Sequence, residues 1–156
     1  MSKSVTPPRK DYVFVVLQFA LFIVYIFRIP AIDLEVASFM RNGGLYLALL
    51  GSVVALLAFL YINTSLSPFP TPKSDGKLVR SGIYKYIRHP IYSGILGAAL
   101  GFSFYSENKL RFVIFLCLAV LFIFKARYEE RLLKERYPDY GDYQSASGMF
   151  LPRWKL

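Results

Sequence analysis

His89 is the only histidine in the 156-residue chain, and it stands in KYIRHPIYSG (85–94), between Arg88 and Pro90 with Tyr92 close behind. A second concentration of proton-holding groups follows in KARYEERLLKERYPDYGDY (125–143), where Arg127, Glu129 and Glu130 fall within four positions and Tyr140 and Tyr143 come after. Imidazole, phenol, guanidinium and carboxylate together can orient a charged ligand or serve as an acid–base set. One His and one Cys, Cys117, are too few for a zinc site of three or four ligands, and a single Cys excludes an internal disulfide. No Gly-rich phosphate loop, nucleophile elbow or HExxH motif is present. Each group also has an ordinary reading. A lone histidine beside an arginine is commonly an interfacial side chain, and Arg127, Glu130 and Lys134 at spacings of three and four fit a salt-bridged helix end. What decides between the readings is whether the chain brings the two groups together.

The elements that would do so are apolar. Apolar residues make up 55% of the chain and charged ones only 19%, and they segregate. Tyr12–Phe27, Leu45–Ile62, Ile91–Tyr105 and Phe112–Phe124 are runs of 13 to 18 residues with no polar stripe at helical spacing. A soluble bundle would show that stripe. Helices apolar on every side sit stably in lipid, and flanking Tyr, Lys and Arg extend a slightly short span to the interface. No small-x-small cleavage site follows the first run, which is expected to stay as a span. The fold expected is an all-α integral membrane protein with about four transmembrane helices and a cytoplasmic C-terminal helical extension.

Charge sets the orientation. Of 19 Lys and Arg, fifteen fall before the first run, between the second and third, or after the fourth, against four in the two remaining segments. This asymmetry puts both termini and the 63–90 loop in the cytoplasm. The net charge of +9 is thus a topology signal that favours anionic headgroups of the lipid bilayer over nucleic acid. The cytoplasmic side also leaves the Asn63-Thr64-Ser65 glycosylation acceptor silent, and the start MSKSVTPPRK is expected to be mobile.

The chain reads as one membrane domain, 1–156, in two parts. Residues 1–62 form a two-span scaffold almost free of internal polar groups, and 77–156 a helical hairpin and tail that carry the site. SPFPTPKSDG (67–76), with three prolines, is a connector. Pro90 suits the first helical position, biasing His89 to an extended conformation. Gly94, Gly97 and Gly101 then line one face, which lets another helix approach closely or leaves room for a ligand. Nothing breaks the fourth helix before Pro138, so it should project two or three turns into the cytoplasm. A turn of about six residues, Ser106–Arg111, makes the third and fourth spans antiparallel neighbours. His89, Tyr84 and Tyr92 then meet the carboxylates at one membrane face, a pocket of both signs suited to a charged cofactor and an amphiphilic substrate.

LVRSGIYKYIRHPIYSG (78–94), ARYEERLLKERYPDYGDY (126–143) and FLP (150–152) resemble the isoprenylcysteine carboxyl methyltransferase and phospholipid methyltransferase superfamily, in the right order and spacing over about 75 residues. YPDYGDY is one residue shorter than the common FGxxYxxY form of that tail. The resemblance implies a membrane enzyme of the bacterial or archaeal inner membrane, or of the endoplasmic reticulum, that methylates a lipid-like carboxylate or amine with S-adenosylmethionine. It implies that Leu78, Gly82, Tyr84, His89, Pro90, Tyr92, Gly94, Glu129 and Glu130 hold the cofactor, with the backbone of 78–83 wrapped around it. Arg127 and Glu130 would be the catalytic pair beside the methyl acceptor. Arg127 would orient a carboxylate, while an amine would need Glu129 or Glu130 as base. Two rivals carry over from the same motifs: an NADPH-dependent sterol-reductase-like enzyme, disfavoured because Ile91 stands where such enzymes carry asparagine, and a non-catalytic scaffold.

Overall fold

The computed structural model describes residues 7–27, 35–62, 67–72 and 76–153. The start at 1–6, Arg28, the acceptor at 63–65 and Lys73 lie outside the described residues. The described residues form five α-helices: α1 (Arg9–Ile26), α2 (Ser38–Ile62), α3 (Pro90–Tyr105), α4 (Lys109–Arg136) and α5 (Tyr140–Ala146). A single 3₁₀ turn, Gly82–Lys85, precedes α3, and no β-strand occurs among the described residues beyond an isolated bridge between Ile87 and Gly148.

The all-helical class and the four long helices match the apolar runs, with three differences. First, α2 begins at Ser38, seven residues before its apolar run, with the helix-disfavouring Gly44 packed against Gly101 and Phe104 of α3. Among the described helices, α2 alone is long and apolar enough to cross a membrane by length and composition. Charged residues sit within the span length of α1 and α4, and α3 has only 16 residues. Second, the α3–α4 turn is shorter than the expected six residues. It is Ser106–Asn108, with Glu107 in the left-handed region (φ 50°) and the Asn108 side chain accepting from the Arg111 N–H as a helix cap. Third, the tail contains α5, whose residues Tyr140 and Tyr143, three apart, face inward together.

α2 and α3 pack backbone to backbone. A Cβ built on Gly51 would stand 2.4 Å from the Ala98 nitrogen, and one on Gly94 the same distance from the Ala55 nitrogen. Gly44 and Gly101 close the same seam a few turns away. The small-residue face of α3 is therefore a helix-packing surface, and Gly94 is filled by α2. The core proper lies between α3 and α4, where Ala99, Ile114, Leu118 and Phe122 are buried with Phe22, Tyr25 and Tyr92 against them. Outside, the large apolar side chains of α1 and α2 stand exposed, among them Val16, Phe19, Ile23, Leu50, Leu56 and Leu60. Such a band is large for a surface in water.

Candidate functional site

The site is built where α3 begins. Pro90 starts the helix and His89 is its N-cap, at φ −121° and ψ 59°. The loop ahead of it is pinned by the last described residues. The Arg88 and His89 N–H groups donate to the Gly148 and Met149 carbonyls (2.8 and 3.1 Å), Gly148 N–H returns a bond to the Tyr86 carbonyl (3.0 Å), and Ser93 Oγ donates to the Phe150 carbonyl (2.7 Å). A short parallel pairing thus ties the tail beside the Arg-His-Pro loop. α5 completes the tie: Tyr143 donates to the Tyr84 carbonyl at 2.6 Å, and Tyr84 to the Ala58 carbonyl of α2 at 3.2 Å. Burial pushes the Tyr143 hydroxyl up to about 12 and raises Tyr84 as well, so both remain neutral donors at physiological pH.

α4 answers from the other side. Ile114, Leu118, Phe122, Ala126 and Glu130 recur every four residues and are all buried, so the inward stripe of α4 runs straight into a carboxylate. Glu130 accepts from Arg88 Nε at 2.6 Å and Gln144 Nε2 at 2.7 Å, and His89 Nε2 lies 3.3 Å from its Oε1. Because an ionised carboxylate only accepts, His89 carries a proton on Nε2. Arg88 also donates from its NH1 nitrogen to the Gln144 carbonyl at 3.0 Å and to that of Ser147. Burial alone would raise the Glu130 carboxyl, but the bonds and charges of His89 and Arg88 outweigh it and hold the group at about 2. Glu129 is half-buried. It accepts from the Tyr92 hydroxyl at 3.0 Å and faces His89 Nδ1 at 3.8 Å, while the Tyr92 ring stacks on His89 with centroids 5.4 Å apart.

Two adjoining chambers share Tyr84, Arg88, His89 and Glu129 in their walls. One, of about 690 Å³ and open to solvent, adds Leu78, Tyr137, Tyr140 and Tyr143 and is roofed by Phe69–Pro72. The other, of about 750 Å³, adds Pro90, Tyr92, Ile95, Gln18 and Lys125 on the side of the apolar helices. The roof is latched to α1 and α4 by three bonds: Thr71 N–H to Asp11 (3.0 Å), Lys125 to the Pro68 carbonyl (2.9 Å), and Arg136 to the Pro72 carbonyl (3.2 Å).

Of the residues singled out in the sequence, Leu78, Tyr84, His89, Pro90, Tyr92 and Glu129 line the chambers. Glu130 lies behind them as the buried anchor of Arg88 and His89. Gly82 is set apart by its backbone, at φ +58°, with the Tyr61 ring against it. Arg127 is exposed and lines neither chamber, because it falls one residue off the inward stripe of α4, a rotation of about 100°. Unforeseen in the sequence are the connector as a roof, Gln18 from the presumed scaffold, and Lys125, whose signal was its place one helical turn before Glu129.

Residues 39–140, well over half of the chain, match the phospholipid methyltransferase (PEMT) family. The chain belongs to that family. It is 33% identical over 113 residues to the protein-S-isoprenylcysteine O-methyltransferase of Saccharomyces cerevisiae, covering 70% of this chain and 47% of that protein. It is 29% identical over 113 residues to the cobalt-zinc-cadmium resistance protein CzcN of Cupriavidus metallidurans, covering 72% and 50%. Its fold superposes on the eukaryotic intramembrane Ras methyltransferase ICMT (isoprenylcysteine carboxyl methyltransferase) with a TM-score of 0.68 and 25% identity, over 95% of this chain and 54% of that one. This family member therefore spans about half the length of the relatives it matches, and its likeness to an intramembrane enzyme extends over nearly all its residues.

Proposed function

We propose that the chain is an integral membrane methyltransferase that transfers a methyl group from S-adenosylmethionine to an amphiphilic acceptor at the cytoplasmic face. The observation that carries this reading is the pair of chambers meeting at His89 and Glu129. One is walled by polar and aromatic loop residues, and the other by residues of apolar helices, so a water-soluble cofactor and a lipid-dissolved acceptor can each reach the same point. In this reading α1 to α4 are the spans, both termini are cytoplasmic, and the exposed apolar side chains of α1 and α2 face lipid.

The residues present fit the cofactor. The two chambers meet at Tyr84, Arg88, His89 and Glu129. The first offers aromatic faces at Tyr84, Tyr137, Tyr140 and Tyr143 and a carboxylate at Glu129, which suit a heteroaromatic base and a cation. Leu78, Tyr84, His89 and Glu129 would hold it, with Pro90 and Tyr92 at the junction and Glu130 fixing Arg88 and His89 from behind. When bound, S-adenosylmethionine supplies an electrophilic methyl group whose departure leaves the bonding electron pair on sulfur, so no proton has to be delivered to the leaving group. The protein's task is then alignment and exclusion of water. Tyr92 fixes Glu129, His89 stacks on Tyr92, and the latched roof closes the polar chamber over them. An acceptor arriving as an ammonium must first lose a proton. Glu129 is the group positioned to take it, because it lines both chambers, whereas Glu130 is buried behind them with both oxygens bonded. Arg127, exposed at the membrane face, is left to meet anionic headgroups.

The test is calorimetric titration of the detergent-purified chain with S-adenosylmethionine, S-adenosylhomocysteine and NADPH. Binding of both methyl-donor forms, weakened about tenfold or more in His89→Ala, is expected. Heat with NADPH alone, or none with any of the three, would overturn the reading.

A further inference from the structure

Lys125 is 2% exposed, yet no carboxylate forms an ion pair with it among the described residues. Its ammonium donates to Gln18 Oε1 at 2.6 Å and to the Pro68 carbonyl at 2.9 Å, and it lies 5.4 Å from the centroid of the Tyr92 ring. An ammonium has three protons and a full charge, so two neutral acceptors and a ring face leave one donor and most of the charge uncompensated. The nearest acids are otherwise committed. Glu129 is bonded to Tyr92, and Asp11 accepts from Thr71 through one oxygen while its other has no partner. Lys125 forms part of the wall of the membrane-side chamber, which Glu129 and His89 also line.

The space beyond that wall is apolar. Ile95 lines both this chamber and an open groove of about 1370 Å³ between α1, α2 and α3, walled by Phe22, Ile26, Leu49, Ala98 and Phe102 among others. Gln18, Phe22 and Ile26 follow one another at four-residue spacing on α1, so the groove runs down the helices from the Lys125 end. From Ile95 to Phe102 it follows α3 for roughly 10 Å at ~1.5 Å per residue, room for a short extended hydrocarbon chain.

We infer that Lys125, held by Gln18, binds an anionic group of the acceptor, a carboxylate or a phosphate, while the acceptor's hydrocarbon tail lies in the α1–α3 groove. Charge complementarity sets the occupant: among the described residues lining this chamber, Lys125 is a buried cation held by neutral groups alone. This rests on the methyl-transfer reading for the word acceptor, but the binding site itself does not. It also moves the orienting of an anion from Arg127, which is outside the chambers, to a cation inside them.

The test uses the whole chain in nanodiscs of zwitterionic phosphatidylcholine, with octanoate, octyl phosphate and octylamine as probes and S-adenosylhomocysteine titrated separately. Wild type is expected to bind one or both anions about tenfold or more tightly than octylamine, the tighter anion identifying the head group. Lys125→Met should abolish that preference, and Lys125→Arg should restore it together with any S-adenosylhomocysteine affinity lost as the roof loosens. If Lys125→Met does not fold, Gln18→Leu, which frees Lys125 without removing its charge, should weaken both anions and spare octylamine. Wild-type preference for octylamine, or unchanged anion affinity in Lys125→Met, would overturn the inference. So would an equal loss of anion and S-adenosylhomocysteine binding without rescue by arginine, the mark of a purely structural latch. Lys125-dependent anion binding with no S-adenosylhomocysteine binding in wild type would overturn the methyl-transfer reading and leave the site standing.

Discussion

At Arg88 and Glu130 two full charges are buried, their side chains 7% and 5% exposed, at a cost repaid only by complete hydrogen bonding. Removing one partner strands the other. Arg88→Met should destabilise the protein by about 3–5 kcal/mol in thermal or denaturant unfolding, and adding Glu130→Gln should recover part of that loss, since the stranded charge is its main source. The same carboxyl sets a pH limit. Its folded value of about 2 lies below the ordinary 4.5, so the stability it contributes is full above pH 4.5 and drains away as pH falls toward 2. Melting temperature in wild type should therefore drop across that window, and Glu130→Gln should show a shallower fall. Side chains of one type have opposite fates here: Arg88 is enclosed while Arg127 is in the open. Composition could not separate them, whereas the four-residue rhythm of Ile114, Leu118, Phe122 and Ala126 points at Glu130 and away from Arg127.

The helices themselves were legible to the degree that local rules govern them. Pro90 starts α3 because proline tolerates the first helical position, and α4 runs on to Arg136 because nothing interrupts it. The antiparallel hairpin joining His89 to Glu130 follows from a short turn. The roof did not follow, because its bonds from Asp11, Lys125 and Arg136 join segments far apart in sequence, and no periodicity announces a loop's partners. α5 was hidden for a similar reason: seven residues make a helix only when Tyr140 and Tyr143 have a core to enter. The glycine face on α3 was visible, but its partner was settled by Gly51 on α2. Gly51→Val should cost about 3 kcal/mol, the upper end for overpacking, because backbone 2.4 Å from the added carbon cannot move aside without parting the helices. Gly43→Val, where a Cβ meets nothing within 4 Å, is the control and should melt near wild type.

For the molecule as a whole, orientation is the property most open to direct measurement. The proposed arrangement puts the loop before α3 in the cytoplasm and the α3–α4 turn on the opposite face. In a Cys117→Ser background, a membrane-impermeant maleimide applied to intact cells should label Lys109→Cys and should reach Lys85→Cys only after lysis. The reverse pattern would invert the topology and send the cofactor chamber to a compartment without the cofactor. Both positions are exposed, so labelling reports sidedness and not burial.

The pairing of residues 148–150 with the Arg-His-Pro loop has a consequence in time. During synthesis the loop emerges well before the segment that satisfies its N–H groups, and α3 and α4 can already pair with the loop at their mouth half-bonded. Until residue 150 has left the ribosome the Arg88 and His89 amides have only water, and the chambers lack the wall that α5 braces. A nascent or prematurely terminated chain that stops short of Gly148 therefore lacks the partners of the Arg88 and His89 N–H groups. Arrival of residues 148–150 is the step that closes the loop's hydrogen bonds.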